Sequence, residues 1–149
     1  MLFWRALLSF LLLPGLVAFV VPAWIAWPLA GRVPHLVGVP LFVAGAAFLL
    51  WCVREFYVAG KGTLAPWDPP KHLVTSGPYR ISRNPMYVAV TLILIGWAAA
   101  FQTRALWYYA LVVVAAFHVR VVLAEEPWAA RTFSDEWQRY RERVPRWLV

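Results

Sequence analysis

Two short segments carry side chains suited to chemistry. One reads Gly77-Pro78-Tyr79 and then Arg83-Asn84-Pro85-Met86-Tyr87; the other sets His118 and Arg120 ahead of the adjacent pair Glu125-Glu126. Two neighbouring carboxylates repel each other and are costly to take out of water. A charge at mid-bilayer costs at least ~2.5–3.5 kcal/mol, so ionisable groups in an apolar run are functional candidates, less so near its edge. Arg120 has a plainer reading as a snorkelling side chain. Asn84-Pro85 also has one: asparagine is a strong N-cap and proline favours the first helical position. That reading leaves Arg83 and Tyr87 unexplained. A helix N-terminus would in addition present free amides to a carboxylate or phosphate.

Spacing constrains how these groups can meet. At about 100° per residue, Arg120 and Glu125 lie about 140° apart on a straight α-helix. A same-face ion pair is not expected; either the helix breaks before Glu125 or the two address different groups. His118 and Glu125, seven residues apart, share a face. His35 and His72 are remote in sequence, and no metal-ligand spacing appears. Cys52 sits in an apolar run and reads as a small buried hydrophobe, since a reactive thiol needs an electropositive setting.

The segment before Arg83 is dense in turn formers, with Gly60-Lys61-Gly62-Thr63 and Trp67-Asp68-Pro69-Pro70 ahead of Gly77. Glycines permit unusual backbone angles and prolines stiffen the remainder, so this stretch is built to hold a shape. Its glycines match neither a P-loop nor a dinucleotide fingerprint.

The elements that must position these residues are apolar. Of 149 residues 62% are hydrophobic, and mean hydropathy is +0.64. A soluble domain of this size has no interior able to hide that much apolar surface. The expected fold is an all-α integral membrane protein. Four spans are predicted at about 2–24, 36–57, 85–101 and 106–123, in one domain, with a loop over 58–84. The first run exceeds the apolar core of about 7–15 residues of a cleaved leader and reads as a span, kinked at Pro14. Twelve of the 14 Lys and Arg and all seven acidic residues fall on one side of this arrangement, leaving Arg32 and Arg104 on the other. The positive-inside rule then puts both termini and the loop in the cytoplasm. The net charge of +7 follows this flanking pattern, not a basic stripe for nucleic acid. Spans three and four should form a tight hairpin, joining the two chemical segments at the cytoplasmic face. Beyond them an amphipathic helix over 134–144 is predicted, N-capped by Ser134 and ended by Pro145. It would lie on anionic lipid or cover a site.

From Gly60 to Leu148 the chain resembles the superfamily of isoprenylcysteine carboxyl methyltransferases and phospholipid methyltransferases. The resemblance rests on motif order: Gly77-Pro78-Tyr79, Arg83-Asn84-Pro85-Met86-Tyr87, a hydrophobic hairpin, Glu125-Glu126, Phe133 through Tyr140, and Val144-Pro145. It implies an enzyme that binds S-adenosylmethionine at the cytoplasmic mouth of a helical bundle, in a bacterial inner membrane, and methylates a lipophilic acceptor. It further implies that Gly77, Pro78 and Tyr79 shape the cofactor pocket, together with Arg83 and Asn84. Tyr87, Glu125 and Glu126 would contact the cofactor, and Arg120 with Glu125 would serve catalysis, Arg120 near an acceptor carboxylate. Asn84 departs from the family's histidine and cannot titrate near neutral pH. Ala89 stands where glycine is usual. Two other readings remain: a nicotinamide-dependent membrane reductase of related architecture, and a non-catalytic scaffold.

Overall fold

A computed structural model describes residues 11–31, 33–60 and 71–148. The described residues are helical, with no strand among them. A π-helical stretch, Leu11–Val20, runs into α1 (Val21–Ala26) and a 3-10 turn, Trp27–Leu29. Next come α2 (Gly38–Gly60), a 3-10 turn at Gly77–Arg80, α3 (Pro85–Phe101) and α4 (Arg104–Arg120). A π turn, Val121–Glu125, joins α4 to α5 (Glu126–Arg143).

Among the described residues two helices are long and apolar enough to cross a membrane, α2 and the helical run Arg104–Arg143; Pro14–Leu29 and Pro85–Phe101 are apolar but shorter. Only 17% of the most apolar stretch of each long helix is buried inside the protein. Leu36, Leu50, Trp51, Tyr108, Leu111 and Leu123 all face outward. Such a surface suits lipid rather than water.

The expected ranges need several corrections. Residues 1–10 of the first predicted run, and the Lys61 to Pro70 part of the loop, lie outside the described residues. The first run continues in helical form to Leu29. The predicted gap between 123 and 134 is filled: the chain stays helical from Arg104 through the π turn into α5, up to a kink at Ser134. At Ser134 φ is 40° and ψ −113°, a non-helical kink at which two helical stretches meet within α5.

The interior is built by close approach of α2 and α3. Leu49 of α2 meets Ala89, Val90, Ile93 and Leu94 of α3, with Ala110 and Val113 of α4 completing the cluster. Small residues permit the contact, as in membrane helix pairs generally. A Cβ on Gly96 would stand 2.6 Å from the Phe42 backbone nitrogen, and one on Gly45 would stand 2.8 Å from that of Ile93. The hairpin from α3 to α4 is tight: Gln102 takes a left-handed conformation and Thr103 precedes α4. The Gln102 backbone N–H donates to Ala98 O, and its side-chain amide donates to Ala99 O at 2.8 Å.

The N-terminal helix is pinned through its own irregularity. Pro22 has no N–H for the carbonyl four residues back, Ala18. Trp97 Nε1 of α3 donates to that carbonyl at 3.0 Å, and Tyr109 of α4 donates its hydroxyl to Val17 O at 2.9 Å. Neighbouring helices thus satisfy the freed backbone groups, as an apolar surround requires.

Gly96→Ala should therefore lower stability by about 1–3 kcal/mol, since an added methyl would push against the Phe42 backbone and Cβ, which have no freedom to move aside. Gly31→Ala, where a Cβ meets nothing within 4 Å, should leave the midpoint unchanged. Thermal unfolding in detergent checks both.

Candidate functional site

The π turn is the local feature that makes the site. Pro127 cannot donate to Leu123, and its ring would crowd that carbonyl in a regular α-helix. The chain widens just before it, and the Glu126 N–H bonds Val121 O, five residues back. A turn closed this way holds about one residue more than an α-turn, so residues five apart come onto one face. Arg120 Nε donates to Glu125 Oε1 at 2.7 Å and to the Tyr87 hydroxyl oxygen at 3.2 Å. The Tyr87 hydroxyl donates to the same carboxylate oxygen. The expectation that Arg120 and Glu125 could not pair is thereby corrected. The helix neither breaks nor sends them apart; it widens. His118 is displaced from its predicted alignment with Glu125 and stacks on Trp147, ring centroids 6.1 Å apart.

The two adjacent carboxylates diverge, each to its own cations. Glu126 takes Arg83 Nη1 at 3.0 Å and a two-bond pair from Arg146, Nε and Nη2 both at 2.8 Å. Burial pushes the Glu126 carboxyl up, but the Arg146 hydrogen bond and the Arg83 and Arg146 charges outweigh it and hold the pKa below the ordinary value. The Arg83 side chain is only 10% exposed. Its guanidinium lies 5.5 Å from the Trp137 ring centroid, a cation–π placement. Burial lowers the Arg83 pKa, with the Glu126 charge offsetting part of the effect. Its Nε is buried and has no hydrogen-bond partner among the described residues.

Asn84 occupies the N-cap position of α3 without capping it through its side chain. Its Nδ2 donates to Arg146 O at 3.0 Å, Ser82 Oγ donates to the same oxygen at 3.1 Å, and the Arg83 N–H donates to Pro145 O at 2.9 Å. The N-terminus of α3 therefore clasps the segment after α5. The N-cap expectation for the Asn84 side chain is corrected accordingly: the C-terminal segment competes for the amide.

Gly77 and Pro78 act from behind. Gly77 has φ +55°, and a Cβ there would stand 2.7 Å from Glu55 Cγ; left-handed backbone without a side chain is what the turn requires. Ser76 Oγ donates to Glu55 Oε2 at 2.8 Å. Pro78 is buried. Tyr79 accepts a 2.7 Å hydrogen bond at its carbonyl from the Tyr140 hydroxyl. Burial keeps the Tyr79 phenol well above its ordinary pKa, so it stays protonated.

These pieces surround one cavity of about 770 Å³, within the usual range for small-molecule sites. Tyr79, Arg83, Asn84, Tyr87, Arg120, Glu125 and Glu126 all line it; Gly77 and Pro78 do not. The rest of the wall is largely apolar, including Val17, Met86, Val90, Phe117 and Leu123 on one part and Trp128, Phe133 and Trp137 on another. Sequence reasoning missed Trp137 as the platform for Arg83, Arg146 as the second cation on Glu126, and Ser82 and Glu55 as supports. Trp137 was legible only as part of a helical stripe, and Ser82 carried no signal. Among the described residues no three His, Cys, Asp or Glu side chains are grouped to hold a metal ion, and Cys52 is buried.

Fold and site together define a helical, membrane-type protein with a charged cluster on one wall of a mainly apolar cavity. The phospholipid methyltransferase family model matches residues 33–136, and the chain belongs to that family. It is 30% identical over 110 residues to the cobalt-zinc-cadmium resistance protein CzcN of Cupriavidus metallidurans, a match covering 74% of this chain and 45% of that protein. The chain thus spans less than half the length of that relative. It is 29% identical over 63 residues to an uncharacterized protein of Haemophilus influenzae, covering 42% of this chain and all of that one. No solved structure matches the chain significantly.

Glu126→Gln should cost about 1–3 kcal/mol at neutral pH by weakening charged hydrogen bonds to Arg83 and Arg146. A carboxyl whose folded pKa is depressed contributes stability that is complete above its unfolded pKa and lost as pH falls through the folded one. The gap between the unfolding midpoints of wild type and the Glu126→Gln variant should hold from neutrality down to about pH 4.3, the ordinary glutamate value, and close in more acidic buffer. A gap that is unchanged in strong acid would show that the carboxylate charge is not what matters.

Proposed function

We propose that this protein catalyses S-adenosylmethionine-dependent methyl transfer to a lipophilic acceptor at the cytoplasmic face of a membrane. Membership of the phospholipid methyltransferase family supplies the reaction class. The observation that carries the cofactor assignment is Arg83: a side chain only 10% exposed, with a buried, unpartnered Nε, on a cavity that also holds two anchored carboxylates. A guanidinium in that state fits a small-molecule carboxylate, because a buried polar atom left unpaired is costly.

The cofactor, when bound, supplies the activated methyl group. In this reading Arg83 holds its carboxylate end, with Trp137 keeping the guanidinium in place. Glu125 and Glu126 accept hydrogen bonds from amino or hydroxyl groups and offer negative charge near a sulfonium. Arg120 and Tyr87 hold Glu125 in orientation, so its carboxylate need not reorganise. Phe117, Leu123 and Val17 exclude water and receive the lipophilic part of the acceptor. The isoprenylcysteine carboxylate is one such acceptor. Most of the rate would come from holding donor and acceptor in line. Arg120, already committed to Glu125, retains its terminal nitrogens for an anionic acceptor group.

The same proposal places four spans in the bilayer. At 17 residues and 1.5 Å rise, α3 is about 26 Å long, at the short end of what spans a hydrocarbon core. Both termini and the loop over 58–84 lie in the cytoplasm, by the distribution of Lys and Arg. The last turns of α5 set Trp137 and Tyr140 inward and Arg139, Arg141 and Arg143 outward, as for an amphipathic helix that covers the site.

Calorimetry with S-adenosylhomocysteine on the detergent-purified protein tests the assignment. Wild type should bind in the micromolar range, with Arg83→Gln and Glu125→Ala each at least about tenfold weaker, the loss of one charged hydrogen bond. A folded wild type that does not bind would overturn it.

A further inference from the structure

A second, smaller cavity of about 290 Å³ lies on the other side of Tyr140. Thr75, Arg80, Tyr140, Arg143 and Val144 line it, so its lining includes two arginines and no acidic residue. Arg80 belongs to the 3-10 turn and Arg143 to the last turn of α5. Arg143 Nε is fixed by donating to Arg139 O at 3.0 Å, which leaves its terminal nitrogens for another acceptor. Neither Arg80 nor Arg143 has an acidic partner among the described residues. Both arginines are exposed, so their charges are open to an anion arriving from solvent or from a membrane surface. Arginine suits a phosphate because its planar fork donates two parallel hydrogen bonds.

The surroundings specify which kind of phosphate. Ile81, next to Arg80 in the chain, is 58% exposed. Val144 lines the recess, so apolar side chains accompany the two arginines, as suits a molecule with a phosphodiester head and acyl tails. In the membrane placement proposed above, this recess lies on the cytoplasmic side, where basic pockets take up anionic head groups.

We propose that the Thr75, Arg80 and Arg143 recess binds the phosphate of an anionic phospholipid. This bound lipid is separate from any methyl acceptor in the larger cavity. Tyr140 lines both cavities and holds the Tyr79 carbonyl, so the lipid packs against the back of the methyl-transfer site. The proposal rests on the membrane placement and not on the methyl-transfer reading, and its test needs no turnover.

Native mass spectrometry of the detergent-purified protein, with phosphatidylglycerol titrated in, reads the binding directly. Wild type should retain one lipid. Arg80→Gln with Arg143→Gln should weaken retention by roughly tenfold or more, as two arginines near an anionic head group would. Arg141→Gln, an exposed arginine of the same helix outside the recess, should not. An excess of inorganic phosphate should leave the lipid in place. Equal retention by the double variant would overturn the proposal, as would equal loss in Arg141→Gln, which would mean a diffuse basic surface. Displacement by inorganic phosphate would identify a free-phosphate site and overturn the lipid assignment. A retained size-exclusion profile and thermal-unfolding midpoint in the double variant separate a lost lipid site from a lost fold.

Discussion

Pro127 cannot donate to the carbonyl of Leu123, and the helix accommodates it by widening over Val121–Glu125. Nearly everything that gives the cavity its character depends on this. The extra residue in the turn places Glu125 against Arg120 and Tyr87, and sends its neighbour Glu126 toward Arg83 and Arg146. Without it, two adjacent carboxylates at the edge of an apolar helix would be uncompensated. With it, each has its own cations, and the pair becomes two anchored acceptors on one wall. Widened turns of this kind are frequent at functional sites. The N-terminal helix repeats the device at Pro22, where Trp97 and Tyr109 supply the missing donors.

The tightly packed part of the molecule and the chemical part divide the labour. Close approach of α2 and α3 through glycines fixes the height and rotation of α3, and so the position of Tyr87 and Asn84. The hairpin at Gln102 returns α4 to the same end. The segment after α5 then closes on the start of α3 through the carbonyls of Pro145 and Arg146. Asn84 matters here as a donor to that segment, a task an amide performs without titrating. Substitution of the family's histidine at this position is thus compatible with an intact cavity.

Much of this was legible in the residues. Motif order along the chain pointed to the family, hydropathy located the apolar helices, and the three-residue gap at Gln102 foretold the hairpin. Of the nine residues the resemblance implied for the site, seven line the cavity. What could not be read was geometry that depends on departures from ideal helices. A period of 3.6 residues says that Arg120 and Glu125 diverge, and only the widened turn reverses that. Pro127 was the available signal. The non-helical angle at Ser134 coincides with the helix start read from its residue type, whereas the helix over the residues just before it, held by Ala129 packing with Trp137 and Tyr140, was not foreseen. Arg146 and Ser82 were invisible because their partners lie 20 and 64 residues away and are set by tertiary closure.

The widened turn is tested most directly by a double-mutant cycle on Arg120→Gln and Glu125→Gln, read by thermal unfolding in detergent. If the two side chains meet across it, their losses should be coupled by at least about 0.5 kcal/mol, as for residues in contact. If the losses simply add, within about 0.3 kcal/mol, the two do not touch, the helix runs straight, and the paired-carboxylate site does not form.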